Sequence, residues 1–152
     1  MTTTVIQLIT GAIGSVAFGL LFHMKTKYLS LAAAGGFFSW LVFLFGKGLW
    51  GNVFLPALLA GFIVDVYAEI LARVCKETST SFFVTSVIPL IPGSTLYYCM
   101  NAVVSNDLSA AGHFGEQTFL AALGIAGGMA IAWCLADLSR KLHALAIRSS
   151  GK

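Results

Sequence analysis

Five long apolar stretches separated by short polar connections run along the chain, roughly Val5 to Phe22, Leu29 to Gly46, Val53 to Arg73, Phe82 to Val104 and Gln117 to Leu138. A helix rises about 1.5 Å per residue, so about 20 mostly apolar residues cross a hydrocarbon core of about 30 Å. The pattern predicts an all-α integral membrane protein, a bundle of about five transmembrane helices. No connection is long enough to separate two units, so residues 1–152 read as a single transmembrane domain. Met1-Thr2-Thr3-Thr4 carries no basic residue, and the apolar run after it is long for a signal peptide. The first span is therefore expected to be retained.

Composition agrees. Apolar residues make up 58% of the chain and charged residues 10%, against about 25% charged in a soluble domain. A domain of about 150 residues buries only about 70% of its chain surface, so lipid must cover the remaining apolar area. Lysine and arginine gather at alternate connections. Lys25 and Lys27 follow the first span, Arg73 and Lys76 the third, and Arg140, Lys141, Arg148 and Lys152 the fifth, leaving only Lys47 on the other side. Basic residues favour the cytoplasmic face, which puts the N-terminus outside and the C-terminus in the cytoplasm, in a multi-pass protein of a bacterial cytoplasmic (inner) membrane. Once these charges serve topology, no basic face remains for nucleic acid. Cys75, Cys99 and Cys134 are odd in number and far apart, and His23, His113 and His143 show no ligand spacing. Neither a metal nor another cofactor is expected.

Two features conflict with a plain apolar span. Asp65 and Glu69 lie inside the third one, where an ionisable residue near the helix centre costs about 2.5–3.5 kcal/mol even on the lenient insertion scale. They belong to a four-residue recurrence, Ala57, Gly61, Asp65, Glu69 and Arg73, that must face protein or water. Arg73 is a ready ion-pair partner for Glu69 at i+4, whereas Asp65 has no cation at i±3 or i±4. Its partner is expected from another helix, a proton, a bound ion or a substrate.

The fourth span holds the second feature, Ile88-Pro89-Leu90-Ile91-Pro92-Gly93-Ser94-Thr95. Each proline lacks an N–H and clashes with the preceding turn, and Gly93 permits helix-ending angles. The span should break between Pro89 and Gly93. Freed backbone groups at membrane depth persist only against protein or a water-filled cavity. A half-helix starting at Gly93, Ser94 and Thr95 would present N–H groups and its positive dipole end to an anionic group. Tyr97 and Tyr98 are candidates for the wall of such a pocket; a simple proline kink is the plainer alternative. Counted along the spans, Asp65 and the break fall at similar depth, which predicts that they border one hydrated hollow. Gly124, Gly128, Ala132 and Ala136 in the fifth span, with Gly11, Ser15 and Gly19 in the first, form small-residue ridges suited to close helix packing.

The run from Leu59 to Asp107 resembles the small five-span half of the threonine/serine exporter (ThrE) family. The resemblance is carried by Tyr67-Ala68-Glu69-Ile70-Leu71-Ala72-Arg73, Val87-Ile88-Pro89-Leu90-Ile91-Pro92-Gly93, Leu96-Tyr97-Tyr98, the loop with Asn106-Asp107 and the glycine-rich last span. It implies a split transporter, in which a larger subunit carries the other five spans and a soluble region. The substrate it implies is a small carboxylate-bearing metabolite, since relatives export threonine and serine and a split version is linked to succinate.

On that basis the broken span would hold the substrate carboxylate. Asp65, with Glu69, would take its ammonium group or a coupling proton. With no lysine or arginine deep in a span, an amino acid is preferred to a dicarboxylate. A dicarboxylate exporter subunit and a non-transporting assembly subunit are the alternatives. An intramembrane enzyme is disfavoured, because no GxGD, GxSG or HExxH pattern occurs.

Overall fold

A computed structural model describes the backbone of residues 2–150 and the side chains of residues 3–141. The described residues form six α-helices: α1 (Thr2–Leu21), α2 (Leu29–Trp50), α3 (Phe54–Cys75), α4 (Ser79–Val87), α5 (Gly93–Val104) and α6 (Leu108–Ser150). Two short 3-10 turns, Thr26–Tyr28 and Ile88–Leu90, join α1 to α2 and extend α4. Four helices are long and apolar enough to cross a membrane. A fifth crossing is made if the segments Ser79–Leu90 and Gly93–Val104, bent by 50°, count as one span.

The break follows from the prolines. Pro92 pushes the residue before it out of the helical region, and Ile91 is extended at φ −60°, ψ 123°. The chain re-enters a helix at Gly93, where the Leu96 N–H and the Thr95 hydroxyl both donate to the Pro92 carbonyl, at 3.1 and 3.0 Å. Helices α1, α3 and α5 end on left-handed residues other than glycine. His23, Lys76 and Asn106 have φ near +55°, and Met24, Glu77 and Asp107 donate back to Gly19, Ala72 and Ala102, the Schellman closure of a helix end. Asp107 then caps α6, its Oδ1 accepting from the Ala110 N–H at 3.0 Å. Asp107→Ala should cost about 1 kcal/mol, read as a lower thermal midpoint of the purified protein.

Helix α3 lies at the centre, packed on α2, α4 and α6, while α1 packs on α2 and on the broken span, and α5 leans mainly on α6. The interior is built of small side chains. Ala32, Ala57, Ala60 and Ala68 are buried, and Phe82 is the largest fully buried side chain. Such residues let membrane helices approach by their backbones, where no hydrophobic force drives helices together. Many large apolar residues, including Ile13, Phe45, Val74 and Val104, face outward, as a lipid-facing surface requires.

Contacts bring the basic connections to one end. Lys25 pairs with Glu77, the Tyr28 hydroxyl donates to the Cys75 carbonyl at 3.1 Å, and Arg140 reaches Glu69. The side chain of Arg148, and Lys152 altogether, lie outside the described residues. Helices extend past the apolar windows: α4 starts at Ser79, α2 runs on to Trp50, and α6 starts at Leu108 where the window began at Gln117.

Candidate functional site

Two polar hollows lie on either side of an apolar layer. Helices α4 and α6 both pack on α3 with at most marginal contact with one another, which leaves a groove over α3. Its floor is Asp65 and Glu69. Thr80 and Phe83 of α4 form one wall, and Trp133 and Arg140 of α6 the other, around a cavity of about 700 Å³. That size falls within the roughly 300–1,000 Å³ usual for small-molecule sites.

Asp65 is 9% exposed, and its Oδ2 has no hydrogen-bond partner. A buried carboxylate oxygen without a donor is costly, so this position calls for a proton, a cation or a ligand's N–H. Glu69 has found its donors. Arg140 Nη2 approaches its Oε2 to 2.6 Å and Arg73 Nη2 to 3.6 Å. The i+4 pairing with Arg73 was legible in the sequence; the closer one, to a residue 71 positions on, was not.

The second hollow, of about 280 Å³, lies beside the break. Pro92, Ser94 and Thr95 line it together with Gln7, Lys47 and Gln117. Ser94 and Thr95 belong to the first turn of α5, a region where helical N–H groups lack intrahelical partners. Thr95 Oγ1 also accepts from Thr118 of α6 at 2.9 Å. Lys47, a topology exception in the charge count, thus stands at this hollow. Trp40, whose buried Nε1 has no partner, lines it as well as a third hollow of about 260 Å³ with Gln7, Gly11 and Pro89.

The acidic pair and the break therefore do not share one hollow. Buried Ala60, Val64 and Leu90, packed by Trp40, Phe43, Phe83, Val87 and Ile125, stand between them. Leu90, Trp40 and Phe43 face the break-side cavity and Phe83 faces the acidic one. Val53, at the break-side cavity, precedes Asp65 by twelve residues, about 18 Å along a helix. Depth counted along separate spans carried no information on which way each face points. Tyr97 and Tyr98 are 66% and 51% exposed. They stack edge to face on each other at 5.7 Å, and Tyr98 also stacks on Phe114 at 5.5 Å. Neither lines the hollows described above. Gly93 stands in open space at the start of α5.

The small-residue ridges lie at helix contacts. A Cβ on Gly124 would come within 2.6 Å of the Phe54 carbonyl oxygen, and one on Gly128 would overlap that of Leu58. Ala132 is buried further along α6. Gly11 faces Pro89, and a Cβ on Gly19 would press on Leu29.

Residues 7–135 match a family model described as Threonine/Serine exporter, ThrE. No curated protein and no solved structure matches the chain significantly.

Proposed function

The chain belongs to the threonine/serine exporter (ThrE) family, with several membrane-spanning helices and an exporter-type transport role, and on that footing we propose that it is one subunit of a two-component, proton-coupled secondary exporter. Its substrates are small amino acids such as threonine and serine, carried out through the bacterial cytoplasmic membrane. The observation that carries this reading is Asp65, buried in a membrane helix with one carboxylate oxygen unpartnered, on the floor of a cavity large enough for a metabolite. Structural ion pairs satisfy their own charges, whereas Asp65 is in no ion pair among the described residues.

The basic end is cytoplasmic, so the Asp65 cavity loads from inside and the break-side hollow opens outward. Asp65 receives the substrate ammonium or the coupling proton. Ser94, Thr95 and the first turn of α5, with Lys47, line the hollow that receives the substrate after it has passed the apolar layer. A larger subunit carrying the other transmembrane half covers the faces this chain leaves open. The protein is a carrier and not an enzyme. A polar hollow on each side of an apolar layer supports transport over a purely assembly role. A dicarboxylate such as succinate is the second reading, favoured by the Arg140 guanidinium at the acidic cavity.

Vesicles reconstituted with this chain and the larger subunit, loaded with labelled serine, threonine or succinate under an imposed pH gradient, test it. Serine or threonine should leave faster than from vesicles with either chain alone, and collapse of the gradient should slow the efflux. Efflux equal to that of protein-free vesicles for every substrate would overturn the proposal.

A further inference from the structure

We infer that Arg140 is the carboxylate-binding residue of the Asp65 cavity, and that the Glu69 carboxylate competes with the substrate's carboxylate for it. The inference rests on the exporter reading and assigns a residue pair within its site.

The charges around the cavity are unevenly shared. Glu69 has two arginines on one oxygen, Arg140 at 2.6 Å and Arg73 at 3.6 Å, while Asp65, one helical turn or about 6 Å away along α3, has none. Arg73 alone suffices to balance Glu69 as an i, i+4 pair. Arg140 is the cation to spare, and it lines the cavity together with both acids. Its guanidinium enters from the far wall: Arg140 is 54% exposed, whereas the carboxylate it holds is only 13% exposed.

A small zwitterion fits this arrangement without changing its net charge. The ammonium group donates to the Asp65 carboxylate, the zwitterion's carboxylate takes the Arg140 fork, and Glu69 falls back on Arg73. One carboxylate replaces another on the same guanidinium, so the exchange costs little. The planar fork of arginine binds a carboxylate through two parallel hydrogen bonds, which lysine cannot reproduce. Because Glu69 and Arg140 sit on α3 and α6, binding also releases the ion pair that ties the floor of the cavity to its α6 wall.

The test uses membrane vesicles from the native cell, which hold the full chain with whatever it assembles with. Labelled serine is the substrate, and serinamide, which keeps the ammonium but lacks the carboxylate, is the competitor. Arg140→Gln should raise the KM for serine about tenfold or more, the equivalent of a lost charge-assisted hydrogen bond, and should let serinamide compete as well as serine. Arg140→Lys should recover part of the affinity. Glu69→Gln, which weakens the tethered competitor, should lower the KM several-fold and keep the preference for serine over serinamide.

An unchanged KM and an unchanged serine-to-serinamide preference in Arg140→Gln at normal abundance would overturn the assignment. So would equal losses of kcat in Glu69→Gln and Arg140→Gln without a KM change, the signature of a pair that merely ties two helices. Should Arg140→Gln fail to accumulate, Arg140→Lys decides, since it keeps the charge but not the fork: an unaltered KM there overturns the proposal. If wild-type vesicles export none of serine, threonine and succinate, or Asp65→Asn exports normally, the exporter reading falls and this assignment with it. A block in Asp65→Asn beside unaltered Arg140 variants sinks the assignment alone.

Discussion

Asp65→Asn is expected to lower substrate efflux by about 10- to 100-fold while the protein accumulates in the membrane at its normal level. The two side chains have nearly the same shape, and Oδ2 has no native hydrogen bond to lose, so the packing around residue 65 is undisturbed. What disappears is a negative charge, and with it a charge-assisted hydrogen bond of about 1.5–3 kcal/mol to a ligand's ammonium group or the capacity to carry a proton. An uncharged residue is also cheaper to hold in a bilayer, so the variant should be at least as stable as the parent. That combination, stable and inactive, separates a functional carboxylate from a structural one. Wild-type efflux in Asp65→Asn, with its dependence on the pH gradient retained, would remove Asp65 from the mechanism.

Gly128→Val should disrupt the contact of α3 with α6. A Cβ at residue 128 would overlap the Leu58 carbonyl oxygen and lie 2.7 Å from the Phe62 backbone nitrogen. Backbone cannot rotate aside as a flexible side chain does, so the helices must separate. Overpacking of this kind costs about 1–3 kcal/mol, and α6 supplies one wall of the acidic cavity. Gly127→Val is the control, because a Cβ there meets only Leu58 Cδ1, at 3.9 Å. A fall in thermal midpoint and in efflux for Gly128→Val, with neither for Gly127→Val, is the expected outcome. Equal behaviour of the two would show that this close approach is not needed.

The helices were legible because a bilayer imposes a length that hydropathy reports directly, and Pro89, Pro92 and Gly93 announce a broken span by their backbone chemistry. Helix ends were harder to read. His23, Lys76 and Asn106 terminate helices in a conformation usually given to glycine, so no glycine marked them. Residues 108–116 include His113 and Glu116, which pull a hydropathy window below threshold, yet Asp107 starts the helix there through its cap. Asp65 stood out as an acid in an apolar span. Arg140 did not, because its partner is 71 positions away on another helix. The separation of the two hollows depended on the azimuth of Leu90 and Val64 around their own axes, which a count of residues along each span leaves open.

Helix α6 runs unbroken for 43 residues, about 64 Å, and contributes to both hollows: Gln117 and Ala121 to one, Met129, Trp133 and Arg140 to the other. With α5 leaning on it, it rests on α3 at the close approach of Gly124 and Gly128. A single rod therefore carries part of the lining of both chambers, and a substitution that displaces it from α3 reaches both at once.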